Sequence, residues 1–71
     1  MKTIKSVHLQ YVDEESNSNK VWEATLFEND DVLCAWGRFD SELQSKLFPG
    51  VGEIFLDKKM NSKLKKGYEL V

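Results

Sequence analysis

The chain has 71 residues, a net charge of −2 and 41% hydrophobic residues, including two Trp, two Tyr and four Phe. That allows one domain with one small core, about 60–65% of its unfolded surface being buried on folding, and leaves little material for a deep catalytic pocket with a supporting shell. A single cysteine, Cys34, excludes an intramolecular disulfide and a cysteine metal cage.

The N-terminal segment Met1-Lys2-Thr3-Ile4-Lys5 has no apolar stretch of the signal-peptide kind. No run approaches the ~20 apolar residues of a membrane helix. A cytoplasmic monomer is the expectation. The charge is unevenly spread. Residues 1–57 hold eleven acids and five bases, whereas residues 58–71 hold five lysines and one acid. The lysines Lys58, Lys59, Lys63, Lys65 and Lys66 suit either a solvated helix end or a phosphate-bearing partner.

Val7, Leu9 and Tyr11 alternate with polar residues, which predicts a strand. The polar run 13–19 predicts a loop. A second strand runs from Val21 to Phe27, with Trp22, Ala24 and Leu26 on a wholly apolar face that belongs to the core. Glu28-Asn29-Asp30-Asp31 has the composition of a hairpin turn. The third strand, Val32 to Phe39, is apolar on both faces up to Trp36, which marks it as central and leaves the exposure of Trp36 open. Leu43 to Phe48 is a shorter, edge-like strand ended by Pro49-Gly50.

Residues 51–66 predict a helix. Val51, Ile54 and Phe55 lie on one side of its first turns, and Leu56, Met60 and Leu64 form a second row. Gly52 and Asn61-Ser62 are weak helix formers, where a late start or a break is expected. Gly67 is placed to end the helix, and Tyr68 to Val71 predicts a short last strand. The order β-β-β-β-α-β describes an α+β domain over residues 1–71: an antiparallel sheet of four or five strands with one helix on a face.

Three segments occur together: Ser18-Asn19-Lys20 before the aromatic strand Val21-Trp22-Glu23, the triplet Trp36-Gly37-Arg38, and Lys63-Leu64-Lys65-Lys66-Gly67-Tyr68 at the end of the helix. In this order they resemble the WGR domain, found in bacterial proteins and beside the catalytic region of eukaryotic poly(ADP-ribose) polymerases. The resemblance covers roughly residues 7–71. It implies a mostly antiparallel sheet with one helix and no catalysis; the residues themselves lead to no expected cofactor or metal. The resemblance also implies contact with the end of broken DNA, with the triplet Trp packed on a terminal sugar and with Arg and Asn nearby; the net negative charge and the carboxylates after the triplet make weak binding the expectation here. By position these are Trp36, Arg38 and Asn19, with Lys20 and Gly37 in the same patch. A regulatory contact with another protein through that patch is the alternative.

After the triplet the chain reads Phe39-Asp40-Ser41-Glu42-Leu43-Gln44, without the two glycines usual in the bacterial pattern. Asp40 and Glu42 stand where they can pair with Arg38 and repel phosphate. The residues themselves leave alternatives open. Trp36 is a stacking platform or a core residue. Gly37 gives ligand access or a bulge. Arg38 meets phosphate or an ion pair with Asp40, Glu42 or the acids at 13–15. His8 and Cys34 lie on different predicted strands without a third member, so no nucleophile–base pair is expected. The acidic turns lack the ligand spacing of a calcium loop.

Overall fold

The computed structural model describes all 71 residues. Alternating side chains build a five-stranded antiparallel sheet from β1 (Thr3–Asp13), β2 (Ser18–Phe27), β3 (Val32–Arg38), β4 (Gln44–Phe48) and β5 (Glu69–Leu70). The strands lie in the order β4-β3-β2-β1-β5. Helix α1 (Gly52–Lys65) connects β4 to β5 and covers one face. The expected α+β domain, with one helix on an antiparallel sheet, is what forms.

The predicted faces hold. Trp22, Ala24 and Leu26 are buried, joined by Leu9, Val32, Cys34 and Leu56. Val7, Trp36, Phe48, Phe55, Met60 and Tyr68 pack around this cluster. The first strand is longer than its apolar alternation reveals. Pairing runs from Asp13 opposite Ser18 to Thr3 opposite Phe27, with one irregularity between Thr3 and Lys5. Backbone hydrogen bonds carry these polar strand ends, so the predicted loop at 13–19 shrinks to a turn at residues 14–17.

The helix begins at Gly52 and does not break at Asn61-Ser62. Its entry is held from the β2–β3 turn: the Gly52 N–H donates to the Asp30 carbonyl at 2.9 Å and the Gly50 N–H to Asp31 Oδ1 at 2.9 Å. Val51 thus precedes the helix. Ile54, expected beside Phe55, is 74% exposed. It lies about 200° round the helix from Leu56 at 3.6 residues per turn, and Leu56 is the helical residue buried against the sheet. Of the row Leu56, Met60 and Leu64, Met60 packs against the core, while Leu64 sits about 80° from Leu56 and is exposed. Lys63 lies within about 20° of the Leu56 line instead.

The helix ends as Gly67 predicts. Its N–H donates to the Leu64 carbonyl at 3.1 Å and the Tyr68 N–H to the Lys63 carbonyl at 3.1 Å. This bonding of the last carbonyls requires a left-handed residue, and Gly67 has φ 102°. The turn delivers Tyr68 beneath the sheet edge, its ring centroid 5.6 Å from that of Tyr11.

Candidate nucleic-acid interface

Strand register decides which of the expected residues meet. Trp22 faces Trp36 across β2 and β3, and Lys20 faces Arg38 one pair further along. Lys20, Trp36 and Arg38 have the parity of the buried Trp22, so all three lie on the helix side. Asn19 has the opposite parity. Its Oδ1 accepts a 2.8 Å hydrogen bond from Gln10 Nε2. The expected patch is therefore divided by the sheet: Asn19 stands on the far face and does not join Trp36 and Arg38.

Trp36 combines its two open alternatives. It is half-buried, packing on the core at Trp22, while part of its surface lines two depressions on the helix side. The first, of about 350 Å³, is lined by Ser18, Lys20, Trp36, Gly37, Arg38, Lys63 and Tyr68. Its charged lining is basic throughout.

Gly37 makes no bulge. The β2–β3 register is continuous from Lys20–Arg38 to Leu26–Val32. Close approach favours glycine: a Cβ at this position would crowd Leu43 Cδ2 at 3.1 Å, on a backbone with φ 155° that L side chains rarely adopt. The loop after the triplet thus packs tightly on the strand, while the Gly37 backbone lines the depression on the other side.

Arg38 forms no ion pair. Its Nη1 donates to the Asn17 carbonyl at 3.1 Å. Asn17 holds a positive φ of 53° in the β1–β2 turn, a conformation asparagine tolerates. The Asp40-Ser41 turn folds onto the Arg38 carbonyl, with Ser41 Oγ donating to it at 2.6 Å, rather than onto the guanidinium. The ion pairs in the molecule are Lys5–Glu53 and Lys5–Asp57, and Glu23 meets the His8 ring. None involves Lys20, Arg38 or the late-helix lysines, so Arg38 keeps most of its donors available.

The five late lysines separate by helical position. Lys63 projects toward the sheet, and Lys59 and Lys66 flank it along the depressions. Lys58 and Lys65 lie about 200° and 180° from Leu56, are exposed and line no depression. They complement the helix dipole and solvate its outer face. Lys63 is different. Burial and then the nearby Lys66, Lys59 and Lys20 hold its ammonium below the ordinary lysine value. Burial, with Tyr11 beside it, raises the Tyr68 phenol. A crowded, partly desolvated group of cations without carboxylates favours an arriving anion.

No protein-family model, curated protein or solved structure matches the chain.

The remaining chemistry is sparse. His8 bonds Glu23 at 2.8 Å on the far face, while Cys34 is buried on the helix side, so the sheet separates the two. Burial raises the Cys34 thiol, against the opposing effect of Lys59 and Lys63. No three His, Cys, Asp or Glu side chains converge as metal ligands. No helix is long and apolar enough to cross a membrane.

Tyr68 lines the depression at Trp36, Tyr11 and Phe48 line the two beside it, and Asn17 holds Arg38; none was among the expected site residues. Tyr68 was visible as the aromatic after Lys66-Gly67. Tyr11 and Phe48 carried only a strand signal, and the carbonyl that holds Arg38 had none.

Proposed function

We propose that this chain is a non-catalytic, WGR-type nucleic-acid-binding domain whose contact surface is the helix-side patch of Lys20, Trp36, Arg38, Lys63 and Tyr68. The observation that carries this reading is the convergence of three carboxylate-free cations with two aromatic side chains on one depression. Cations supply affinity for phosphate through counterion release. The guanidinium adds a planar fork for phosphate oxygens, and the aromatic faces offer stacking surface for a sugar or base. The resemblance of the Trp36-Gly37-Arg38 triplet and its flanking segments to WGR domains points the same way. Asn19 has no part in this surface.

Affinity for duplex DNA is expected in the range of about 10⁻⁴–10⁻⁶ M at physiological salt, because the whole chain is net acidic. The test is an NMR titration with blunt duplex DNA, single-stranded DNA and RNA. Shifts at the Trp36 indole, Arg38, Lys63 and Tyr68 are expected with at least one of them. Shifts confined to the His8–Glu23 face, or none at all, would overturn the reading and make the patch a protein contact.

A further inference from the structure

The depression at Trp36 is one part of a longer groove. Lys63 lines three adjoining depressions on the helix side, of about 350, 300 and 210 Å³. Tyr11 and Lys66 stand at one end, Trp36 and Tyr68 in the middle, Phe48 and Lys59 at the other. Lysine ammonium groups lie close to the rings along its length: Lys20 is 6.0 Å from the Tyr11 centroid, Lys63 5.3 Å from Tyr68, and Lys59 5.9 Å and Lys46 5.2 Å from Phe48. Aromatic surface and positive charge thus alternate from β1 to β4. No Asp or Glu lines any of the three depressions, whereas the two elsewhere on the molecule include Glu23 and Glu69.

Shape narrows the kind of polyanion. The groove runs between α1 and the sheet, with Trp22 and Cys34 in the lining at its Phe48 end. A duplex keeps its bases stacked inside and presents a broad convex surface, which reaches only the rim of such a groove. An unpaired strand presents flat bases and separate phosphates, matching alternating rings and cations. Resting on the nucleic-acid reading above, we infer that the ligand is a single strand laid across the sheet from Tyr11 to Phe48. Bases stack on Tyr68, Trp36 and Phe48, and phosphates meet Lys20, Lys63 and Lys59. A base arriving on a ring displaces the ammonium there toward the phosphate. Tyr11 stands level with Lys20 and Arg38, and Phe48 with Val32 and Leu26. Three strand-to-strand steps of about 4.8 Å therefore combine with about 20 Å along the strands into a diagonal of roughly 24 Å, the length of about seven nucleotides at a stacked rise of about 3.4 Å.

The experiment measures fluorescence anisotropy of labelled oligothymidylate, oligouridylate and a blunt DNA duplex of equal length, each with the intact chain over a series of salt concentrations. At least one single strand is expected to bind about tenfold or more tightly than the duplex. Its affinity should climb with length up to about seven nucleotides and then level off, apart from the statistical gain of longer lattices. The two single-stranded arms distinguish a DNA from an RNA ligand. Trp36→Leu should weaken single-strand binding by about five- to a hundredfold at unchanged salt slope. Lys20→Met and Lys59→Met, at exposed positions that leave the core intact, should each flatten the slope by up to about 0.7. Equal or tighter duplex binding would overturn the single-strand inference while leaving the nucleic-acid reading standing. Failure of all three probes to bind would remove both.

Discussion

Lys20 and Arg38 face each other across β2 and β3, on the same side of the sheet and with no carboxylate in ion-pair range of either. Like charges directly opposite weaken a sheet. The pair is therefore a stability cost that an anionic ligand relieves. Lys20→Glu should create a cross-strand ion pair and stabilise the domain by about 0.2–1 kcal/mol, while weakening polyanion binding severalfold. Thermal melts and anisotropy titrations on the same variant check both halves. A variant neither more stable nor weaker in binding would remove the functional meaning of the pair.

The two tryptophans should separate under mutation although they are cross-strand neighbours. Trp22 is 3% exposed in the core cluster, so Trp22→Ala should cost about 3–5 kcal/mol, enough to unfold much of a domain this small. Trp36 is half-buried at the groove, so Trp36→Leu should keep the fold. Its polyanion affinity should fall by about 1–3 kcal/mol. Urea denaturation and the dispersion of amide NMR signals report the fold, and titration reports the binding.

Lys63 should make stability depend on pH in the alkaline range. Its folded-state pKa lies below the ordinary 10.5, through burial first and the neighbouring lysines next. Between those two values the unfolded chain binds more protons, so this group's contribution to stability rises with pH and is complete above 10.5. Tyr68 and Cys34, both raised, contribute with the opposite sign. The decisive quantity is therefore the difference between wild type and Lys63→Met, followed by thermal melts across that range. Lys63→Met should gain most at neutral pH, and its advantage should shrink as pH rises. Anion binding should weaken in wild type as pH passes through the lowered value, and less so in the variant.

Gly67→Ala should destabilise the domain by about 1–2 kcal/mol. The position has φ 102°, and an added Cβ would lie 3.2 Å from Tyr11 Cε2. The same strain should push Tyr11 away from Tyr68 and disturb the groove at that end. Chemical denaturation measures the first effect, and the aromatic signals of Tyr11 and Tyr68 in a proton NMR spectrum the second.

The alternation of Trp22, Ala24 and Leu26, the turn at Asn29 and the glycine at 67 were sufficient to foresee the antiparallel sheet, its buried face and the end of the helix. These are local signals, because period two or a left-handed cap is enforced within a few residues. The helix's inward face was harder to read. Leu56 and Phe55 do turn inward, but the apolar residues Ile54 and Leu64 do not, and the stripe they blur is completed by Lys63. The extent of the second strand lay beyond the sequence. Residues 13–19 read as a loop, and only the pairing of Lys20 with Arg38 and of Asn19 with Val12 showed that the alternation set by Trp22 runs back through them, placing the lysine at the groove and the asparagine behind the sheet. The fate of Arg38 was equally non-local. Asp40 and Glu42 are close in sequence, yet the acceptor that holds the guanidinium is the carbonyl of Asn17, brought 21 residues back along the chain by the β1–β2 turn. Chain proximity set the charges near Arg38, and backbone geometry chose its partner.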